Sequence, residues 1–332
     1  MHMAMSMRNF TLSRLFALAA LAALWLAAPQ ALAQNNPPGG ATPRPGQGAT
    51  SGASPSSLLP APVEAGQGGL YLAAVFSAAD TQPIASGLTW RIYADRPDAD
   101  GIHKLVAESK DATPALALPE GDYIVHVALG LAGAMKRVTL RGEGLSERLA
   151  LNAGGLRIAG VLGETAIPAA QLSISIFVPE RGNAEAKLVL AKARPNDIIS
   201  LPEGTYHVVS TLLDTVGVGS TGGAGASPPT NSIVTADLRV SPGKLTDATL
   251  RHRAATMTLK LVGQRGGEAL ANTSFSVLTP GGDVIRELIG AFPSLVLAEG
   301  EYVAIARHDS RTYQAVFKVQ STLDRDVEVI AQ

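Results

Sequence analysis

Few residues in this chain have the types and spacing to do chemistry, and turns account for most of them. Gly217-Val218-Gly219-Ser220-Thr221-Gly222 has the G-x-G-x-x-G spacing with which a strand-to-helix turn cradles a pyrophosphate. That job needs a helix directly afterwards. Gly223-Ala224-Gly225-Ala226-Ser227-Pro228-Pro229 cannot form one, so a flexible loop is expected. Asp98, Asp100 and Gly101 suggest a calcium loop, yet Arg96 and Ala107 stand where an EF-hand wants oxygen ligands. A polar hairpin tip is the reading for that segment. Histidines could ligate a metal or act as a base, but His126, His207 and His308 fall three, one and six residues after their nearest tyrosines, and so share no register. His103 and His252 lie at expected turns or strand ends, where a solvated surface is the ordinary place. There is no G-x-S-x-G elbow and no Ser-His-Asp set that stands out. Cysteine is absent, which excludes thiol catalysis, disulfides, Cys-ligated zinc and an acylated-Cys anchor. The reading is a non-enzyme with no cofactor and no metal.

What does recur is a turn. Leu118-Pro119-Glu120-Gly121-Asp122-Tyr123, Leu201-Pro202-Glu203-Gly204-Thr205-Tyr206 and Leu297-Ala298-Glu299-Gly300-Glu301-Tyr302 are copies of one motif. Their tyrosines lie 83 and 96 residues apart, and an insertion at Gly217–Asn231 explains the longer interval. Trp90 and Ser173 each precede their tyrosine by 33 residues, inside period-2 runs such as Leu172-Ser173-Ile174-Ser175-Ile176. Each copy reads as about seven short strands, and repetition at this period marks three related units. In a sandwich the motif makes a tyrosine corner: a turn delivers the chain into a strand and the hydroxyl bonds back to upstream backbone. Leu118, Leu201 and Leu297 should be core. Gly121, Gly204 and Gly300 should adopt a conformation that a side chain resists. Alternation puts Tyr123, Val125, Val127 and Leu129 on the buried face, and likewise Tyr206, Val208 and Leu212. Trp90 belongs to the core by the same alternation.

On these residues the copies resemble the prealbumin-like or carboxypeptidase-regulatory-like β-sandwich modules of bacterial exported proteins. The resemblance implies an all-β chain of three tandem antiparallel Ig-like sandwiches. Related collagen-adhesin modules carry a Lys–Asn crosslink promoted by a glutamate before the corner. Here Ala115-Leu116-Ala117 and Ile198-Ile199-Ser200 hold no acid, and strand Leu70–Phe76 holds no Lys, so the crosslink does not carry over.

The elements ahead of the repeats concern export. Arg8 and Arg14 precede an unbroken apolar run, Leu15–Ala28, of 14 residues. As a helix it rises about 21 Å, short of a bilayer core of about 30 Å. Pro29 and Ala31-Leu32-Ala33 follow, so residues 1–33 read as a signal peptide cut after Ala33. Residues 34–66, rich in Pro, Gly and Ser, read as a disordered linker. The repeats are then expected at 67–152, at 153–252 with a flexible insertion 217–231, and at 253–332. No later segment is apolar enough to span a membrane. Charge is balanced, 27 basic against 28 acidic, which argues against nucleic acid. The expected role is an exported periplasmic or cell-surface protein, structural or protein-binding, with a protein partner in the envelope. The alternative is a glycan-binding protein using sandwich-end loops.

Overall fold

Alternation dictates the elements. In Leu172–Val178 the isoleucines at 174 and 176 are fully buried while Ser173 and Ser175 between them are half-exposed, as one pleated face against a core requires. The computed structural model describes residues 66–179, 186–216 and 227–332. The expected signal peptide, nearly all of the linker, and residues 217–226 of the expected insertion lie outside them. Among the described residues the regular structure is strand, apart from one 3-10 turn at Ala169–Gln171.

Module 1 contains β1 (Gln67–Val75), β2 (Leu88–Pro97), β3 (His103–Ser109), β4 (Ala115–Pro119), β5 (Gly121–Leu129), β6 (Ala132–Leu140) and β7 (Leu145–Ala150). Module 2 contains β8 (Ala153–Leu162), the short β9 (Thr165–Ala166), β10 (Leu172–Val178), β11 (Lys187–Ala193), β12 (Ile198–Pro202), β13 (Gly204–Leu213), β14 (Pro229–Val240) and β15 (Leu245–His252). Module 3 contains β16 (Ala254–Val262), β17 (Ser274–Leu278), β18 (Val284–Ile289), β19 (Ser294–Ala298), β20 (Gly300–His308), β21 (Arg311–Val319) and β22 (Arg325–Ile330). Each module packs one sheet on another. The orders are β4-β1-β7 on β3-β2-β5-β6, β12-β8-β15 on β11-β10-β13-β14, and β19-β16-β22 on β18-β17-β20-β21. These are three tandem β-sandwiches.

Most pairings are antiparallel, as expected, but one in each module is not. The first strand pairs in parallel with the last: β1 with β7, β8 with β15, β16 with β22. Parallel first and last strands make the chain enter a module at one end and leave it at the other. Leu151 and Asn152 alone connect β7 to β8, and Arg253 alone connects β15 to β16. Such short connections are open only to modules whose termini lie at opposite ends.

Three apolar clusters fill the sandwiches. The first includes Leu70, Leu88, Trp90, Ile92, Val125 and Val127; the second Leu156, Ile158, Ile174, Ile176, Leu201 and Val208; the third Met257, Leu259, Phe275, Val277, Leu295 and Leu297. Burying each large side chain contributes about 1.5–3 kcal/mol. Trp90 is fully buried, and its indole Nε1 donates to the Asp111 carbonyl at 3.0 Å. The ladders correct the repeat alignment by one residue. Trp90 pairs with Val127, Ile174 with Ser210 and Phe275 with Ala306, so Ile174 rather than Ser173 stands in the place of Trp90. The two hairpins match in length, Trp90 pairing with Ser109 and Ile174 with Ala193, but four residues join β11 to β12 where five join β3 to β4, and a fixed count from the tyrosine cannot see that.

The expected insertion 217–231 is also shorter on its far side. Strand β14 begins at Pro229, which pairs with Leu213, so Pro229–Asn231 belong to the strand, at a bulge, rather than to the loop.

Candidate functional site

The repeated motif is the natural starting point. In each copy the short fourth-strand equivalent (β4, β12, β19) ends one residue before the strand carrying the tyrosine, and the chain turns sharply between sheets. Tyr123 Oη donates to the Pro119 carbonyl at 2.7 Å, Tyr206 Oη to Pro202 at 2.9 Å, and Tyr302 Oη to Ala298 at 2.8 Å. Burial pushes all three phenol pKa values up, so each hydroxyl stays a donor at neutral pH. Leu118, Leu201 and Leu297 are buried behind the turns. The glycines correct an expectation. Gly121, Gly204 and Gly300 are not among the residues with positive φ. A Cβ there would meet the tyrosine ring at no less than 3.8, 3.7 and 3.5 Å respectively, an ordinary contact. They open a strand in extended backbone, two positions from the ring they face, so a small residue fits there and left-handed backbone is not needed.

The third corner has a feature the others lack. Asn231 of β14 reaches into module 3 with both ends of its amide. Its Nδ2 donates to Tyr302 Oη at 2.8 Å, and its Oδ1 accepts from the Ala298 backbone N–H at 2.9 Å. Next to it, fully buried Asp214 accepts from the Val296 N–H at 3.3 Å and from the Val216 N–H at 3.0 Å. Arg286 donates to the Pro229 carbonyl at 3.0 Å, and Val296 packs against the core of module 2.

Two clefts flank this second junction. One, of about 380 Å³, is lined by Asn231, Ser232, Arg251, Arg253, Ala298 and Glu299 among others. Its arginines are paired, Arg253 with Glu299 at 2.6 Å and Arg251 with Glu164 at 3.1 Å. The other, of about 390 Å³, is more apolar and includes Leu212, Val216, Ala255, Val296, Thr322 and Asp324.

The histidines fall into two classes. His207 sits on the surface against Asp237 at 2.7 Å, His308 lies 3.2 Å from Asp309, and His103 Nδ1 is 2.9 Å from the Ala94 carbonyl. His252 overturns the expectation of a solvated strand end, being 1% exposed. Its Nε2 lies 2.9 Å from Ser210 Oγ and its Nδ1 lies 3.0 Å from Ser232 Oγ. Desolvation by burial holds its pKa below the ordinary histidine value, against a smaller upward pull from Ser232. The reason lies in the ladder. β15 alternates, so Leu250 and His252 face the same core, and Ser210 opposite provides a polar neighbour. Sequence reading placed Tyr206, Val208 and Leu212 on the buried face and passed over Ser210 between them. That interruption of the apolar alternation was the one available signal. Asn231 had none, nor did the reach of Asp214 to Val296, because those partners lie in the next module.

At the β2–β3 tip, Asp98 Oδ1 accepts from the backbone N–H groups of Asp100 and Ile102 at 3.0 and 2.9 Å. The carboxylate thus closes its own turn. Among the described residues no group of three or more His, Asp or Glu is placed to hold a metal, and no helix is long and apolar enough to cross a membrane.

Comparison with known proteins gives one family match. The Rhizobiales growth-associated tandem repeat domain matches residues 256–331, which is module 3 almost from end to end. No curated protein matches the chain. Solved structures with remote similarity include the Bacillus anthracis TIE protein, at 16% identity over 80% of this chain and 50% of that one, with a TM-score of 0.23. The chain therefore spans about half the length of that protein. A streptococcal ancillary pilin is 12% identical over 80% of this chain and 99% of its own, with a TM-score of 0.27. The major pilin subunit of Bacillus cereus is 9% identical over 80% and 100%, with a TM-score of 0.20.

Proposed function

We propose that the chain is an exported, non-enzymatic protein of the cell envelope, in which three copies of the tandem repeat domain present a protein-binding surface in fixed relative orientation. Modules 1 and 2 are read as further copies of the domain that matches residues 256–331. The observation that carries this reading is the way the modules are joined. Connections of two residues and one residue, backed by hydrogen bonds across each junction, leave little freedom for one module to swing against the next. A catalyst would need a nucleophile or a coupled acid–base pair in an open cleft; the cleft at Asn231 offers paired arginines instead, and the other is lined mainly by apolar and threonine side chains. Export rests on the N-terminal signal-like segment, cut after Ala33. The second reading, recognition of a glycan, is favoured by the polar lining of the cleft around Asn231, Arg251 and Glu299.

The test uses the exported chain, whose intact mass should begin at Gln34. It is compared with a chain carrying a ten-residue Gly/Ser spacer between His252 and Arg253. The wild type should capture a defined envelope protein that the spaced chain loses or binds more weakly. Equal capture by both defeats the fixed-orientation reading. Binding to purified envelope polysaccharide, with no protein captured, would favour the glycan reading.

A further inference from the structure

Module 2 carries a polar cluster where module 1 is apolar. The ladders align Ser210 with Val127 of module 1 and Ala306 of module 3. Counting along the paired strands aligns Ser232 with Ala132 and Arg311, and His252 with Leu151 and Ala331. Val127, Ala132 and Leu151 are all buried in module 1. One apolar trio has thus been exchanged for two serines and a histidine inside an otherwise similar core.

We propose that this cluster makes the junction between modules 2 and 3 responsive to pH. Neutral imidazole has one N–H and one lone-pair nitrogen, so one serine accepts from the ring while the other donates to it. Protonation turns both nitrogens into donors. The donating serine must then turn its hydrogen away, and a charge is left on a ring that is 1% exposed.

The cluster is tied to the junction through both strands that hold it. On β14, Ser232 points at His252 while the preceding residue, Asn231, bonds Tyr302 and Ala298 of module 3. On β15, His252 is followed by Arg253, whose carbonyl accepts from the Glu299 N–H at 2.9 Å, and then by module 3 itself. Displacing His252 from the serines therefore displaces the residues that grip module 3. The first junction has no titratable group at the matching positions.

The charged groups on the surrounding elements point elsewhere. Arg157 of β8 pairs with Asp247 of β15 at 2.5 Å, and His207 of β13 with Asp237 of β14 at 2.7 Å. Arg239, Arg251 and Arg253 reach outward to Glu203, Glu164 and Glu299. Asp214 is the one buried acid among the described residues, and its oxygens accept from the backbone of Val216 and Val296.

The sign follows from the depressed pKa. Above the unfolded histidine value, about 6.5, both states are neutral and the cluster is at full strength. As pH falls through that value the unfolded chain binds the proton first, so stability declines until the folded state is protonated too.

The test is amide exchange of the full chain at pH 7.5 and 5.0, corrected for intrinsic rates. Protection at Val296–Ala298 should drop at pH 5.0, with that at Leu131 unchanged, and the thermal transition of module 2 should fall by several degrees. A chain with Ser210→Val, Ser232→Ala and His252→Leu, the residues of module 1, should lose this pH dependence. Should that triple change disturb folding, His252→Gln serves in its place, since it stays neutral and keeps a hydrogen-bonding side chain. Equal pH dependence in wild type and variant overturns the proposal, as does loss of protection spread over both junctions. A nuclear magnetic resonance titration of His252 with a midpoint at or above that of an unfolded histidine overturns it as well.

Discussion

Where module 1 meets module 2, backbone meets backbone. The Leu131 N–H donates to the Ser200 carbonyl at 3.0 Å, Glu203 N–H to Asn152 at 2.7 Å, and Ala153 N–H to Phe76 at 3.3 Å. Where module 2 meets module 3, one backbone bond of the same kind recurs, from Glu299 N–H to Arg253, but side chains are added around it. Asn231 and Asp214 reach across from module 2, and Arg286 reaches back. The same sandwich with the same parallel first and last strands thus builds two kinds of joint. A backbone joint is indifferent to which side chains flank it and survives most substitutions. A side-chain joint can be lost by a single substitution, and it can be coupled to a titrating group nearby.

The largest test of this contrast is at the buried leucines of the corner motif. Leu201→Ala and Leu297→Ala should each cost about 2–5 kcal/mol, the usual range for a core leucine. If the second joint shares stability between its modules, Leu297→Ala should also lower the melting of module 2, on whose core Val296 packs. Leu201→Ala should leave module 1 unmoved. Calorimetry that resolves the module transitions checks both.

Asn231→Leu, which installs the residue of the first joint, comes next. It leaves the Ala298 N–H without its acceptor and removes a donor from Tyr302, so a loss of about 1–3 kcal/mol is expected. The loss should appear in module 3 although the substitution is in module 2. Leu131→Asn, the reverse exchange, should leave the first joint intact, because its bond comes from the Leu131 backbone. Denaturant titration of the two variants side by side would reveal whether the joints differ as the contacts say.

Tyr→Phe at the three corners grades the same comparison. Tyr123→Phe and Tyr206→Phe each remove one hydrogen bond, worth about 0.5–1.5 kcal/mol. Tyr302→Phe removes two and strands the Asn231 amide, so it should cost the most of the three. Equal losses at all three tyrosines would mean that Asn231 adds nothing to the joint.

Glycines give the smallest effects. Gly130 has φ of +57°, and a Cβ there would lie 3.0 Å from that of Ser200, so Gly130→Ala should weaken the first joint by about 1 kcal/mol. Gly121→Ala, Gly204→Ala and Gly300→Ala have ordinary backbone and room, and should stay within about 0.5 kcal/mol. Melting curves separate the two groups.

Much of the fold could be read from local pattern. The alternation in Leu172–Ile176 announces a strand with one buried face, and the Leu-x-x-Gly-x-Tyr copies announce three sandwiches, because strand periodicity and turn chemistry depend on residues a few positions apart. Trp90 was legible as core for the same reason. Its counterpart was not: the β11–β12 connection is one residue shorter than β3–β4, which put Ile174 where Ser173 was expected. The candidate site lay further from reach. Asn231 and Tyr302 are 71 residues apart, and Ser210 and His252 are 42 apart. Which of these residues meet depends on ladder register and on the direction of the last strand in each module. A polar residue at the end of an alternating run, such as His252, looks solvated until a neighbouring strand covers it. By itself the sequence determined the tandem β-sandwich class and the alternating buried faces. The tertiary structure alone decided how the units are joined, because a joint is made by groups that become neighbours only after each module has closed.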